Sequence, residues 1–357
     1  MRRTAALIVG GGPAGASAAL SLARGGAMPV LIERSPGERD VVCGGFLGWD
    51  ALAALKRLGL DPATLGARPI HRLRLVARGR VVEARLPRAA AGLSRRRLDA
   101  ALLRLAEEAG AVVLRGRAAR ALEVGRVRLD DGEEMEADAL FLATGKHELR
   151  GVARDLGSWR LSVGLRATLA PSRALADALA GTIELHLYDG GYAGLLIQED
   201  GAVNLCLSVA RARMAGGTEA LLAELIVEAP LLGERIAGAA PEAWEAIAGV
   251  PYGWRALSTG PGLYRVGDQA AVIASLAGGG IAVALASGTA AAAACLGGDG
   301  SGARAYQRDF ARRARRPLAI AEMLRHMAEN PLRRGLMMRL AGVPGLAGAA
   351  ARLTRIG

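Results

Sequence analysis

The sequence predicts an α/β fold in which a parallel-sheet domain is interleaved with a mainly antiparallel β-sheet domain and is followed by a helical C-terminal region. Three observations predict this fold. Residues 5–34 show the pattern of apolar strand, glycine turn, helix and second apolar strand. Residues 70–87 and 160–210 alternate apolar and polar side chains, which is typical of antiparallel strands with one solvated face. Residues 303–357 are rich in arginine and have a helical pattern.

The first strand and turn predict a dinucleotide-binding, Rossmann-like unit. The strand "AALIV" at 5–9 runs into a G-x-G-x-x-G motif made by Gly10, Gly12 and Gly15. The first glycine permits a tight turn, the second lets backbone amides approach a pyrophosphate, and the third lets the helix pack closely on the strand. The helix N terminus favours phosphate groups. Glu33 ends the second strand, where a carboxylate accepts hydrogen bonds from ribose hydroxyls.

The later elements follow from the same patterns. Residues 41–60 predict an amphipathic helix after a glycine-flanked cysteine, and residues 94–110 predict a helix that starts at a serine cap and ends at glycine. Residues 137–145 predict a buried strand. We expect helices over 218–248 and a return to strand, loop and helix over 262–296.

Two apolar segments raise the question of export or membrane insertion. Arg2 and Arg3 precede the first apolar run, as in a secretory signal, but that interpretation leaves Glu33 and the second strand unexplained. Residues 269–298 contain no charged residue and satisfy the length of a membrane span. Three consecutive glycines leave only 281–296 as an alanine-rich helix, so a buried core helix is predicted.

Composition argues against nucleic-acid binding. The chain has 357 residues, 52% of them hydrophobic, and a net charge of +12. Only Lys56 and Lys146 among the 46 basic residues are lysines, which is typical of a GC-rich genome. Aromatic residues make up 3%, too few to supply stacking platforms beside the basic residues.

The cysteines and histidines predict neither a disulfide framework nor a metal site. Three widely spaced cysteines have no C-x-x-C pattern, and four histidines have no ligand spacing. We therefore expect a protein of the reducing cytoplasm that holds no metal.

Two segments resemble one known family. "VGGGPAGASAALSLARGG…VLIER" resembles the FAD-binding opening of the flavoprotein monooxygenases (p-hydroxybenzoate hydroxylase-like) and their geranylgeranyl reductase relatives. "GLYRVGDQAAVIASLAGGGIAVALASG" resembles the second FAD motif of that family. The resemblance implies that Asp268 of the Gly267–Asp268 pair accepts a hydrogen bond from the ribityl chain. It also implies that Gly278, Gly279 and Gly280 bring backbone amides to the isoalloxazine ring, with the following helix stabilising the reduced flavin.

The resemblance implies FAD as the cofactor and a set of residues that hold it. "GLSRRRLDAALLRLAEEAGA" resembles the family helix whose arginine, here Arg95, lies near the FAD phosphates or ribityl chain. "ADALFLATG" resembles the strand that ends near the adenosine. The expected FAD-binding residues are Gly10, Gly12, Pro13, Ala14, Gly15, Glu33, Arg34, Arg95, Gly145, Gly267, Asp268, Gly278, Gly279, Gly280 and Ile281. Without a second G-x-G-x-x-G motif, NAD(P)H is expected to dock transiently as the reductant.

Two reactions compete, and a hydroxylase is expected first. In that reaction reduced flavin meets O₂ and transfers OH to a hydrophobic or aromatic small molecule. The alternative is a reductase of an isoprenoid or other alkene, which needs a hydride and a proton. A non-catalytic or membrane-embedded nucleotide-binding protein is a distant alternative, and an NAD-only dehydrogenase would leave the second motif without a role. The tryptophan signature of flavin halogenases is absent.

Cys43 is the candidate catalytic side chain, together with the backbone at Gly279 and Gly280. Cys43-Gly44-Gly45 resembles the cysteine–glycine motif near the flavin in the geranylgeranyl reductase branch. That branch also carries a tyrosine-x-tryptophan-x-phenylalanine-proline pattern, whereas this chain continues from Tyr192 to Gly194 and Leu196. Paired aromatic residues are expected near the substrate cavity: Phe46, Trp49, Tyr188, Tyr192, Tyr252 and Trp254.

The predicted domains are discontinuous in sequence. The FAD-binding domain is expected over 1–68, 92–150 and 258–300, the substrate domain over 69–91 and 151–257, and the helical region over 301–357. That last region mixes arginine with leucine and methionine, which suits either an anionic membrane surface or a solvated helical face. The expected partner is a hydrophobic small molecule; the sequence leaves the oligomeric state open.

Overall fold

The computed structural model describes residues 2–123, 125–237, 243–298 and 302–356. The strands are β1 (Arg2–Val9), β2 (Val30–Glu33), β3 (Phe46–Leu47), β4 (Arg68–Ala77), β5 (Arg80–Gly92), β6 (Val112–Arg115), β7 (Ala119–Glu123), β8 (Arg126–Leu129), β9 (Glu134–Leu142), β10 (Ser162–Leu169), β11 (Thr182–Tyr188), β12 (Gly191–Ile197), β13 (Val203–Ala210), β14 (Glu245–Val250) and β15 (Leu263–Arg265). The helices are α1 (Pro13–Arg24), α2 (Trp49–Arg57), α3 (Arg95–Glu108), α4 (Arg173–Leu179), α5 (Gly217–Glu228), α6 (Pro230–Ile236), α7 (Gly280–Leu296), α8 (Gly302–Glu329), α9 (Pro331–Ala341) and α10 (Leu346–Leu353).

The first sheet has a parallel centre, as the sequence predicts. Its strand order is β6-β2-β1-β9-β8-β7, and β15 pairs in parallel with the end of β9. The strands β6, β2, β1 and β9 run parallel, whereas β8 and β7 add an antiparallel edge. Because apolar side chains cover both faces of β1, Leu7 and Ile8 are both fully buried.

Helices α1 and α7 pack closely because their contact surface is made of small residues. A Cβ atom on Gly288 would lie 2.3 Å from the carbonyl oxygen of Ala14 and 2.3 Å from Oγ of Ser17. The absence of a side chain at Gly288 therefore lets the two helices approach each other, and α7 is a core helix as predicted. Within the described ranges, no helix is long and apolar enough to cross a membrane.

The second sheet is antiparallel apart from one pair of strands. Its order is β14-β10-β13-β12-β11-β4-β5-β3, and only β11 and β4 pair in parallel. Strands β4 and β5 form the predicted hairpin, whose turn holds Arg78 at a φ of 48° beside Gly79. A second apolar core lies between this sheet and α4, α5 and α6, and includes the fully buried Tyr188.

Two segments differ from the sequence prediction. Helix α4 interrupts the expected strands of 160–210, and its N terminus is capped by Ser172, whose side chain accepts a hydrogen bond from the Leu175 amide. The expected helices of 218–248 end earlier, because residues 245–250 form the strand β14 beside β10. Pairing with an edge strand is a tertiary contact, so the local pattern does not show it.

Helices α8, α9 and α10 form the helical C-terminal region. The long helix α8 buries Tyr306, Phe310 and Leu318 against the first sheet and α7. Its C-terminal half reaches β11 and β12, where Ala328 joins an apolar cluster of the second sheet. The C-terminal region therefore packs against both sheets.

Candidate functional site: a cleft at the carboxyl ends of the parallel strands

A cleft of about 800 Å³ opens where the parallel strands of the first sheet end and the second sheet begins. Parallel strands present their carboxyl ends at one edge, which is where ligands bind in open α/β sheets. Sixteen of the predicted residues line this cleft: Gly10, Gly12, Pro13, Ala14, Glu33, Arg34, Cys43, Phe46, Arg95, Gly145, Tyr252, Gly267, Asp268, Gly278, Gly280 and Ile281.

The glycine turn after β1 leaves backbone amides free at the start of α1. Gly10 has a φ of 109°, and a Cβ atom there would lie 2.4 Å from the Ala143 carbonyl oxygen. A Cβ atom on Gly15 would lie 1.9 Å from the carbonyl oxygen of Gly10, so both positions require glycine. Gly12 caps α1 without a side chain, which leaves the first amides of the helix available to an anion.

Glu33 closes this turn from the neighbouring strand. Its Oε2 accepts a hydrogen bond of 2.7 Å from the Gly11 amide, and its Oε1 accepts one of 2.8 Å from the Ser35 amide. The carboxylate is thereby oriented at the cleft wall, and each oxygen keeps a lone pair for a hydroxyl group. Arg34 lies beside it and contacts Nε2 of His147 at 2.8 Å.

Arg95 supplies a partly buried cation next to the glycine turn. Its Nη2 lies 3.1 Å from the position that a Cβ atom would take on Gly12. Asp99, one turn along α3, accepts hydrogen bonds of 2.8 and 2.7 Å from Nε and Nη2. Burial alone would lower the pKa of Arg95, but the Asp99 carboxylate outweighs burial and raises it. The arginine therefore stays charged beside the amides, as a phosphate site requires.

Asp268 lies in the middle of the cleft and is paired with a lysine. Oδ2 of Asp268 accepts a hydrogen bond of 3.0 Å from Nζ of Lys146, and the Asp268 backbone carbonyl accepts one of 3.2 Å from Nη1 of Arg154. Lys146 is not among the site residues predicted from the sequence. The available signal was its rarity, since it is one of two lysines and directly follows the glycine at the end of "ATG".

The three glycines before α7 form the opposite end of the cleft. Gly278 has a φ of 64°, and a Cβ atom there would lie 2.7 Å from the Phe46 ring. Gly280 begins α7 and has open space where a side chain would be. Gly279 does not line the cleft, because its Cβ position faces Ile273. The N terminus of this 17-residue helix is thus presented to the cleft with no side chain at Gly279 or Gly280.

These residues fit FAD. The free amides of the glycine turn and the Arg95 guanidinium suit a pyrophosphate, and the carboxylates of Glu33 and Asp268 suit ribose and ribityl hydroxyls. The uncovered N terminus of α7 suits a ring that becomes negatively charged on reduction. Among the described residues, no group of histidine, cysteine and acidic side chains could hold a metal ion.

The six aromatic residues expected in the substrate pocket fall into two groups. Phe46 and Tyr252 line the cleft, and Tyr192 adjoins it through a hydrogen bond to Ser275. The other three lie outside the cleft lining: Trp49 packs under the guanidinium of Arg355, Tyr188 is fully buried in the core of the second sheet, and Trp254 packs against the guanidinium of Arg154. Gly15 also lies behind the lining, where it packs on the turn.

A chain of hydroxyl groups reaches the cleft lining at Tyr252 and Ser275. Oγ of Ser275 lies 2.6 Å from the Tyr252 hydroxyl and accepts a hydrogen bond from the Tyr192 hydroxyl. Oγ of Ser208 donates to the Tyr252 hydroxyl at 3.2 Å. Burial raises the pKa of both tyrosines, so both remain protonated at neutral pH. Ser275 has no sequence signal, because only the fold brings it between the two tyrosines.

Two of the three cysteines lie in the cleft. Cys43 lies in the loop between β2 and β3, and its Sγ accepts a hydrogen bond of 3.5 Å from the Gly45 amide. Cys206 lies on β13 at the other side, where burial raises the pKa of its thiol to about 12. Cys295 lies elsewhere, near the end of α7.

Comparisons with known proteins agree with this description. A model of the FAD binding domain family matches residues 3–151. A menaquinone reductase of Mycolicibacterium smegmatis is 30% identical over 322 residues, which cover 81% of this chain and 76% of that protein.

Two solved structures show the same fold. A geranylgeranyl bacteriochlorophyll reductase-like protein of Thermoplasma acidophilum has a TM-score of 0.72 and 21% identity, with 99% of this chain and 91% of that chain covered. The flavin-dependent brominase Bmp2 has a TM-score of 0.75 and 17% identity, with 99% and 93% covered.

The domain match and the relative from Mycolicibacterium smegmatis together assign the family. The matched FAD binding domain contains the glycine turn, Glu33 and Arg95, which are the residues that form the first half of the cleft. The similarity to the reductase extends over most of both chains. This chain therefore belongs to the FAD-dependent oxidoreductases, in the family that includes that reductase.

Proposed function

We propose that this protein is an FAD-dependent reductase that saturates a carbon–carbon double bond in an isoprenoid lipid, with menaquinone as the first substrate to test. The observation that carries the proposal is the 30% identity to a menaquinone reductase over 81% of this chain. Menaquinone carries an isoprenoid side chain. The alternative drawn from the sequence, a reductase of an isoprenoid or other alkene, therefore agrees in substrate class with this relative. Hydroxylation, which the sequence favours first, stays a prediction that the same experiment tests.

The reaction requires a hydride at one carbon of the double bond and a proton at the other. When FAD is bound and reduced, it supplies the hydride. The π electron pair forms the second C–H bond with a proton that the protein must provide. NAD(P)H is proposed as the transient reductant that returns the two electrons to the cofactor.

Tyr252 is the proposed source of that proton. It lines the cleft, and burial raises the pKa of its hydroxyl, so the group carries a proton at every physiological pH. Ser275 and Tyr192 continue the hydrogen-bonded chain behind it and can replace the proton it gives up. Lys146 also acts on Tyr252, because its positive charge stabilises the phenolate left after donation.

The inner end of the cleft suits an apolar chain. The apolar side chains lining it are Val42, Phe46, Leu207, Ile247, Val250, Val272 and Ile273. Gly164 lets the side chains of Val42 and Ile247 pack closely against its backbone, since a Cβ atom there would lie 3.0 Å from Val42 and 3.1 Å from Ile247. Apolar walls hold an alkene without hydrogen bonds and exclude water from the reacting carbons.

The test is an anaerobic turnover of menaquinone by the FAD-loaded protein with NADH or NADPH, followed by mass spectrometry. The extracted lipid is first exposed to air, because a quinol returns to the quinone whereas a saturated side chain keeps its two added hydrogens. A product with two extra hydrogens after this step supports the proposal. A product that returns fully to menaquinone contradicts alkene saturation. A product that gains an oxygen atom only when O₂ is admitted would assign the hydroxylase instead.

A further inference from the structure

Helix α9 has one face attached to the protein and an opposite face made of exposed leucines. Arg334 and Met338 are each 2% exposed and lie one turn apart on the attached face. Leu332, Leu336 and Leu340 are 90%, 54% and 42% exposed. Positions two residues apart point to opposite sides of a helix, so the three leucines form a row directed away from the protein.

The exposed row continues past the end of α9. Val343 is 46% exposed and Leu346 is 43% exposed, in the turn that leads into α10. We call the five side chains Leu332, Leu336, Leu340, Val343 and Leu346 the α9 patch. Contiguous exposed apolar side chains of this kind mark interaction surfaces rather than ordinary solvated ones.

The stretch of chain that carries the α9 patch is positively charged. The sequence from residue 330 to residue 357 contains five arginines and no acidic residue. Arg333 and Arg339 on α9 and Arg352 on α10 are exposed. An apolar row flanked by arginines is the composition of a helix that lies in the interface of an anionic membrane.

The attached face holds α9 rigidly in this orientation. Nη2 of Arg334 donates a hydrogen bond of 2.6 Å to Oδ1 of Asp189, and its Nε donates one of 2.7 Å to the carbonyl oxygen of Ala328. The Asn330 side chain caps the helix by accepting hydrogen bonds from the amides of Leu332 and Arg333. The leucines are therefore presented on a fixed element and not on a free tail.

We propose that the α9 patch docks the protein onto an anionic lipid bilayer. The leucines enter the headgroup region while Arg333, Arg339 and Arg352 pair with lipid phosphates. A second copy of this chain fits less well as the occupant, because two such surfaces would bring like charges together. The proposal does not depend on which molecule the cleft reduces.

The chain that follows the α9 patch is hydrogen-bonded to the loop at the cleft end. Beyond α10, Arg355 donates hydrogen bonds of 3.2 and 3.0 Å to the carbonyl oxygens of Gly278 and Ala277. These carbonyls belong to the loop that precedes α7 at the cleft end. The end of the chain that follows the α9 patch therefore supports the glycine loop, which suits an enzyme that takes its substrate from a lipid phase.

The experiment is flotation of the FAD-loaded protein with vesicles of phosphatidylcholine alone and of phosphatidylcholine with phosphatidylglycerol. We expect binding to the anionic vesicles, and we expect L332Q/L336Q/L340Q to weaken it at least tenfold. R333Q/R339Q should weaken binding by about tenfold and reduce its sensitivity to salt. The matched control is M28Q/V227Q/L257Q, which changes three exposed apolar residues elsewhere, at 78%, 81% and 64% exposure.

FAD content and melting temperature verify that each variant is folded, since none of the changed residues lines the cleft. Equal vesicle binding by the wild type and the leucine variant would overturn the proposal. Dimers that the leucine variant abolishes, without vesicle binding by the wild type, would assign the surface to a second copy. Reduction of detergent-dispersed substrate is measured separately, so a failure of docking and a failure of the proposed reaction give different results.

Discussion

Lys146 and Asp268 meet in the middle of the cleft, with Nζ 3.0 Å from Oδ2, although 122 residues separate them in sequence. They meet because β9 and β15 are parallel neighbours and each strand delivers one of the two residues just beyond its carboxyl end. Burial alone would lower the pKa of Lys146, but Asp268 is the largest opposing influence and the pKa is raised. The Lys146 ammonium is therefore charged at neutral pH, and the hydrogen bond to Asp268 keeps the two side chains oriented.

Replacing Asp268 by alanine should weaken FAD binding ten- to a hundredfold. The variant loses the carboxylate that we expect to accept from cofactor hydroxyls, and it leaves the Lys146 ammonium without its partner. A charged hydrogen bond contributes about 1.5–3 kcal/mol. The dissociation constant of FAD, measured by flavin fluorescence, checks this. The control is Asp309→Ala, which removes an exposed carboxylate paired with Arg312 on α8. FAD affinity unchanged in the Asp268 variant would contradict the assignment of the second motif.

Replacing Tyr252 by phenylalanine should lower turnover of the alkene about a hundredfold while FAD content stays the same. The change removes the proposed proton donor and interrupts the hydrogen-bonded chain from Tyr192 through Ser275, and general acid catalysis contributes roughly 10²–10⁴-fold. Single-turnover oxidation of the reduced protein by substrate measures the step directly. Tyr306→Phe is the control, because its hydroxyl donates to the Arg265 carbonyl oxygen away from the cleft. Equal rates in the two variants would remove Tyr252 from the reaction.

FAD should protect Cys43 from alkylation. Cys43 is partly exposed and lines the cleft, so N-ethylmaleimide should reach its thiol only when the cofactor is absent. Cys206 should stay unmodified in both states at pH 8, because its pKa of about 12 leaves almost no thiolate. Peptide mass spectrometry of the protein with and without FAD measures both sites. Labelling of Cys43 at the same rate in both states would show that bound FAD does not cover this thiol.

Glu184 should make stability dependent on acidic pH. Burial alone would raise its pKa, but hydrogen bonds from His186, Arg235 and Arg74 outweigh burial and lower the pKa from 4.5 to about 2. Because the folded pKa lies below the unfolded one, the stabilisation is complete above about pH 4.5 and is lost as the pH falls toward 2.

Glu184→Gln should therefore destabilise the protein by about 2 kcal/mol at pH 7, somewhat below the full linkage value, because the Arg74 and Arg235 side chains reach solvent. Urea unfolding of both proteins from pH 7 down to about pH 3 measures the difference. The difference should begin to shrink only below pH 4.5. A constant difference across this range would show that Glu184 is not ionised against these partners.

The part of the cleft that fits FAD was predictable because the residues that mark it lie close together in the sequence. Gly10 must adopt a positive φ, and Gly15 must lack a side chain so that the helix can pack closely. These requirements fix glycines at a characteristic spacing, which is visible in the sequence. The Gly267–Asp268 pair and the three glycines before α7 are contiguous in the same way. The substrate half carries no such spacing, and three of the six aromatic residues expected there are elsewhere.

By itself, the sequence determined the order of strands and helices in the nucleotide-binding unit, the cofactor class and the helical C terminus, because each depends on residues within one or two turns of chain. Only the tertiary structure decided that Lys146 pairs with Asp268, that Ser275 joins Tyr192 to Tyr252, and that the leucines of α9 face outward. These relationships depend on which strands are neighbours and which helix face finds a partner. Such contacts are made between distant parts of the chain, so no local pattern records them.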